Sequence, residues 1–196
     1  SWFKKQELAY GKADITVEGN TLCLRDLSEH IKEPPEWLKS MMELSPVSED
    51  KYGDMMLWHL ANAYVQDGIT LDIPANVRSD KPLNITFTGH NGGFTNTQNI
   101  IRLDENVDFI LIEYHMGTGT YFNNALTQIK LGKNSRLRHY RFQENSEKAA
   151  YIQNSFIELE EGANYEAFTL TNGAGISRHQ AHANLIGQNA ECHFNG

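Results

Sequence analysis

One short phrase returns through the last two thirds of this chain at nearly fixed spacing. It limits the available folds more than any other feature. The phrase opens on an aliphatic anchor and places Asn or Gly three residues later: IPANV from Ile73, LDENV from Leu103, LGKNS from Leu131, LEEGA from Leu159 and IGQNA from Ile186. The anchors are 30, 28, 28 and 27 residues apart, and the third-place residues are Asn76, Asn106, Asn134, Gly162 and Asn189. Asn and Gly enter the left-handed backbone region at the least cost. A bend that needs this conformation once per period is what a coiled chain of stacked repeats requires.

The residues between the bends are Ile, Val, Phe, Tyr and Thr rather than helix formers, so helical repeats are excluded. A propeller blade needs about 40 residues or more. The apolar residue every sixth position that a hexapeptide helix demands is absent. The expected fold is therefore mainly β: a right-handed parallel β-helix with coils of about 28 residues, spanning 68–196. Before it, residues 1–67 form a small α+β part. Ala13 to Leu27 alternate around Glu18-Gly19-Asn20 and read as a hairpin. "EWLKSMMEL" from Glu36 reads as a short helix or a turn. Asp54 to Gln66 reads as a longer one, with Asp54 as N-cap and Gly68 as stop. The chain opens on Ser1 and closes at Asn195-Gly196 directly after a strand pattern. The expectation is a fragment with a truncated β-helix. Its uncapped strand around Cys192 to Asn195 should fray or pair with another chain.

Counting from each bend assigns the interior. Three places on are Phe109, Leu137, Tyr165 and Cys192; five places on are Leu111, His139, Ala167 and Phe194. These share one face of their strands and should point inward. The other parity, Asp108, Arg136, Asn164 and Glu191, then Ile110, Arg138, Glu166 and His193, should point outward. Arg138 beside Glu166 should form an exposed cross-coil pair. His139 should be buried and bonded to a backbone group or water.

The composition narrows the partners. There are 17 Lys and Arg against 25 Asp and Glu, a formal charge of −8. This argues against nucleic acid and against an anionic membrane surface. No apolar run approaches the ~20 residues of a span, and no signal peptide opens the sequence. Cys23 and Cys192 read most simply as free thiols of a reducing compartment, with one disulfide between them as the alternative. "GHNGG" (Gly89–Gly93) and "GTGT" (Gly117–Thr120) lack the Lys and following helix of a phosphate loop. His179, His182, Cys192 and His193 could suit a soft metal, but they lack paired zinc-type spacing. Asp104-Glu105 and Glu158 to Glu161 sit at bends and read as solvated turns. Arg136, Arg138 and Arg141 form a local basic stretch. No residue is assigned a catalytic, cofactor-binding or metal-binding role.

Leu60 to Ala63, Asp67-Gly68-Ile69 and Ile73-Pro74, then "RHYRFQENSEKAAYI" and "GISRHQAHANLIGQNAECHFNG", together resemble the SufB/SufD family of iron–sulfur cluster assembly proteins, its SufD branch more than its SufB branch. The resemblance covers about Met55 to Gly196. It implies a helical part leading into a right-handed parallel β-helix, in agreement with the counted period. It further implies a cytoplasmic, non-catalytic scaffold subunit that acts with SufB and the ATPase SufC, in a complex carrying a nascent iron–sulfur cluster. The family's cluster-site and SufC-contact residues lie beyond the matched positions, so none is carried onto this chain and no cofactor is expected within it. The rival readings are a secreted polysaccharide-active β-helix enzyme of pectate-lyase type and a generic β-solenoid interaction module. The first needs Asp-rich calcium sites, and the repeat carries no Asp column.

Overall fold

The computed structural model describes residues 9–10, 14–19, 23–43, 59, 63 and 67–196. In chain order the elements are β1 (Ala9–Tyr10), β2 (Asp14–Glu18), β3 (Leu24–Asp26), α1 (Leu27–His30), α2 (Glu36–Met42), β4 (Asp67–Ile73), β5 (Leu83–Gly89), β6 (Gly93–Leu103), β7 (Asp108–Gly117), β8 (Phe122–Leu131), β9 (Arg136–Asn145), β10 (Ala150–Leu159), β11 (Asn164–Gly173), β12 (Ile176–Leu185) and β13 (Glu191–Asn195). From β4 onward, strands alternate between two sheets. One runs β12-β10-β8-β6-β4-β3 and the other β13-β11-β9-β7-β5-β2. Within each sheet every pair from β4 on is parallel. This is the parallel β-helix the period requires. The helix expected over Asp54 to Gln66 lies outside the described residues, except that His59 and Ala63 are helical.

The bends stack. Asn76, Asn106, Asn134, Gly162 and Asn189 all have positive φ, between 54° and 66°. Each of the first four donates its backbone N–H to a carbonyl of the next coil, as in Asn106 to Lys133 and Asn134 to Glu161. Asn106 Nδ2 also reaches Asn76 Oδ1 at 3.4 Å. At Gly162 the space is closed as well as the dihedral unusual: a Cβ there would stand 2.4 Å from Asn134 Oδ1. Asn134→Ala should therefore cost about 1–2 kcal/mol, while Asn134→Gly should cost little or stabilise. Urea denaturation of the two variants measures the difference, and equal losses would show that the dihedral is not the cause.

Three details depart from the repeat as counted. In the sheet register Leu159 pairs with Leu185, not Ile186, so Leu185 is the last anchor. The preceding corner is two residues shorter than its counterpart, since Asn145 pairs with Gly173 but Ala150 with Ile176. One extra residue then enters the next bend. The first interval of 30 arises between Arg78, opposite Asp108, and Leu83, opposite Leu111. Two residues are inserted there.

The expected hairpin is not formed. β2 pairs antiparallel with β5 and β3 antiparallel with β4, so the two strands divide between the sheets and cover the first edge of each. Such an edge offers a full row of unpaired N–H and C=O groups to each strand. At the other end β13 is a regular strand on β11, not a frayed one.

The inward count holds. Phe109, Leu111, Leu137, His139, Tyr165 and Ala167 are buried, and Cys192 is half-buried beside them. Phe194, counted inward, is 48% exposed because β13 is the edge strand of its sheet in the structure. Arg138 does not pair with Glu166 although the two are opposite in register. The long guanidinium stems reach diagonally: Arg136 takes Glu166 at 2.6 Å and Arg138 takes Asp108 at 2.7 Å. The sheet containing β4 is buried on its outer face too. Leu38 and Met41, one helical turn apart on α2, pack on Ile100, and Gln128 Nε2 donates to the Met41 carbonyl at 2.8 Å.

Candidate functional site: a buried polar cluster in the β-helix

Two kinds of residue share the interior. Near the Asn corners it is aliphatic, built from Ile73, Leu103, Leu131, Leu159, Leu111 and Leu137. Further along, where the first sheet's strands begin and the second's end, inward positions turn polar. β7 contributes Glu113 and His115, and β9 contributes His139 and Arg141, none more than 3% exposed. Tyr151, Gln153 and Ser155 of β10 face them from the other sheet, and all three are buried.

The Glu113 carboxylate sits at the centre. Its Oε2 accepts from His115 Nε2 at 3.0 Å, and its Oε1 lies 3.4 Å from His139 Nε2. Arg141 Nε stands 3.5 Å from Oε2, an ionic contact rather than a hydrogen bond. The guanidinium turns its other nitrogens to the far sheet. Nη2 donates to Gln153 Oε1 at 2.6 Å and to the Tyr151 hydroxyl at 3.2 Å, and Nη1 lies 3.1 Å from His179 Nδ1. The Tyr151 hydroxyl donates to Gln153 Oε1, and its oxygen lies 3.0 Å from His115 Nδ1. The His115 ring stacks on Phe87 with centroids 4.9 Å apart. His139 Nδ1 and the Tyr165 hydroxyl are 2.9 Å apart, so the bond this ring makes is to a side chain rather than to a backbone group. Gln153 donates to Thr127 Oγ1 at 3.0 Å, and Ser155 Oγ lies 3.0 Å from His179 Nε2.

The electrostatics follow from burial. Desolvation pushes Glu113 up, but the imidazoles of His139 and His115 outweigh it and hold the carboxyl well below the usual range. Burial lowers His115 despite the Glu113 contact, and Arg141 and His139 lower it further. Burial raises the Tyr151 and Tyr165 hydroxyls, so both stay protonated. The result is an ionised Glu113 within ionic reach of the Arg141 guanidinium, in a network where Glu113 Oε1, His139 Nε2 and Arg141 Nε make no hydrogen bond. Tyr121 ends the polar half. Its ring lies over Gly117, where a Cβ would come within 2.6 Å of the hydroxyl oxygen, and Asn145 Nδ2 donates to that hydroxyl at 2.7 Å.

The residues noted in the sequence do not converge. His179 faces Arg141 and Ser155, whereas His182, of opposite parity, does not share its face. The Cys192 thiol is pushed up to about 11 by burial, and His193 is exposed beside Glu191 at 3.6 Å. Glu158 and Glu160 flank Lys130 at 3.0 and 3.4 Å, and Asp104 lies 3.9 Å from Arg102. These carboxylates serve corner ion pairs. Gly89–Gly93 and Gly117–Thr120 are corner segments, with positive φ at Gly92 and Gly119. Arg141 left the outer basic stretch for the interior. Among the described residues no group of three or more His, Cys, Asp or Glu is arranged to hold a metal ion.

A family model described as "SUF system FeS cluster assembly, SufBD core domain" matches residues 86–196, the stretch from β5 to β13. Protein ABCI7, chloroplastic, of Arabidopsis thaliana is 23% identical over 146 residues, covering 69% of this chain and 30% of that protein. An iron–sulfur cluster assembly SufBD family protein of Synechocystis sp. is 24% identical over 140 residues, covering 65% of this chain and 31% of its own length. The chain thus spans about a third of the length of the curated relatives it matches. No solved structure matches it.

Proposed function

The chain belongs to the SufBD family of the SUF iron–sulfur cluster assembly system, and from that membership we propose that it is a non-catalytic scaffold subunit of a SUF-type complex. It acts with a SufB-like subunit and a SufC-like ATPase. The observation that carries this reading is the agreement between the family match at 86–196 and the stacked coils. The cluster is cargo of the assembled complex, and no residue of this chain is proposed as its ligand. Support for a non-catalytic role comes from the interior. Its charged groups are compensated and sealed between two sheets, as suits rigidity rather than substrate access. The energy-consuming step belongs to another chain, since this sequence has no phosphate-binding loop. Among the described residues no helix is long and apolar enough to cross a membrane, and the reading places the complex in the cytoplasm.

Co-expression of the full-length protein with SufB-like and SufC-like subunits from the same source tests the reading. A tagged copy should retain both through gel filtration, and the complex should build a cluster that the protein alone does not. Failure to retain either subunit would remove the proposal.

A further inference from the structure

The outer face of the β5-β7-β9-β11 sheet carries an open groove near the polar corner. Register and outward parity build it from two rows: Thr88, Met116, Glu144 and Asn172, then Tyr114, Phe142 and Leu170. Its apolar part, about 270 Å³, lies over Tyr114, Phe142 and Leu170. Its polar part, about 530 Å³, is lined by Thr88, His90, Thr118 and Ser146. Met116 and Glu144 line both parts and join them. The Tyr114 and Phe142 rings stack with centroids 5.4 Å apart and form a flat floor. Leu170 is 53% exposed and Met116 37%. Contiguous apolar surface of this kind marks interaction sites.

The charge of the groove says what fits it. Glu144 is the one carboxylate that lines it, and no Lys or Arg does. Its register neighbours, Met116 and Asn172, are uncharged. It is exposed and makes no ion pair among the described residues. The outward carboxylates nearer the Asn corners are already taken, Glu166 by Arg136 and Asp108 by Arg138. An unpaired anion beside an exposed apolar floor is complementary to a cation on an apolar carrier. A guanidinium suits it better than an ammonium, because its planar head forks onto a carboxylate and also lies flat on aromatic faces. The formal charge of −8 attracts a cationic partner and disfavours nucleic acid or an anionic membrane. The groove crosses β5, β7, β9 and β11, a span of about 14 Å at the usual strand spacing, which roughly four extended residues match. In an extended segment, residues two places apart share a face about 7 Å apart. An apolar side chain over Phe142 and Leu170 therefore sets an Arg two places away beside Glu144.

We infer that this groove is a docking site for an extended segment of a partner protein, in which an aromatic or large aliphatic residue and an Arg stand two places apart. The inference goes beyond the scaffold reading and does not rest on it.

The test is a titration of the full-length protein with the peptide acetyl-Gly-Phe-Gly-Arg-Gly-amide, observing the methionine methyl groups by NMR. The Met116 methyl, assigned through Met116→Leu, should shift saturably with a Kd of about 1 mM or tighter. Replacing the peptide's Arg by Glu, or its Phe by Gly, should weaken binding about tenfold or more. Glu144→Lys, at an exposed position, should keep the wild-type circular dichroism and reverse the preference, taking the Glu peptide over the Arg peptide. Glu166→Lys should leave the affinity as it is, since that residue lies roughly 20 Å away along the strands, beyond the reach of screened charge. A Met116 signal that stays still at about 10 mM peptide overturns the inference. So do Arg and Glu peptides that bind alike, and a Glu166→Lys effect as large as that of Glu144→Lys. Saturable binding that moves another methionine but not Met116 would place the peptide elsewhere and equally overturn it.

Discussion

Replacing Arg141 by Met is expected to destabilise the fold by about 3–5 kcal/mol, the range for removing one partner of a buried ion pair. Arg141 is 3% exposed and Glu113 0%, so neither charge can turn to water. The guanidinium also supplies Gln153 Oε1 and the Tyr151 hydroxyl from across the interior, and Met supplies neither. An uncompensated carboxylate would remain among half-satisfied neutral groups. Glu113→Gln combined with Arg141→Met should recover much of the loss, because it removes the orphaned charge along with its partner. Urea denaturation of the three variants decides the matter. A single-variant loss below about 1 kcal/mol, typical of an exposed pair, would show that the cluster is not electrostatically closed. Strictly additive losses would show that Glu113 and Arg141 act separately.

The inward parity extends to this cluster, but its residues do not read as interior, for a physical reason. The inward positions assigned from the sequence lie three and five places after each bend. Seven places after Asn106 and Asn134 stand Glu113 and Arg141, and nine places after stand His115 and Gln143. All four are inward by the same parity and all four are buried. Charged residues on a strand read by default as its solvent face. Only a partner on the opposite sheet, such as Gln153, makes the inward position tenable, and that partner is remote in sequence. In β8 and β10 both faces are buried, so adjacent residues such as Asn123 and Asn124 give no alternation to read. The bends were legible because a positive φ selects Asn or Gly directly, without reference to any other part of the chain. The corner lengths were not. A loss of two residues and a gain of one left the interval of 27 looking regular while moving the anchor from Ile186 to Leu185. Gly19 does interrupt the strand pattern after β2, with a positive φ, yet such a signal does not say which edge each strand will find.

Lowering the pH from 7 to 5 should destabilise the protein more steeply than surface titration alone would, and His115 should account for much of the slope. Its folded-state pKa lies below the ordinary value because the ring is buried, with Arg141 and His139 adding to the effect against Glu113. The unfolded chain therefore binds this proton at a higher pH than the folded one does. Stability contributed by the neutral ring is complete above the unfolded His value near 6.5. It falls as pH drops below that, by up to about 1.4 kcal/mol per pH unit. His179 is shifted the same way, by partial burial and by Arg141. One side of its ring faces solvent at the open end, so its share is smaller. Glu113 acts in the same direction but elsewhere on the scale. Its carboxyl is held well below the usual range, so its contribution persists through this window and fades only in stronger acid. Chemical denaturation at pH 7, 6 and 5 gives the slope for the wild type. In His115→Gln, which keeps a neutral polar side chain at the site but cannot titrate, the slope should be shallower even if the loss of the Phe87 stack lowers stability at every pH. An unchanged slope in that variant would mean that His115 does not govern the acid response.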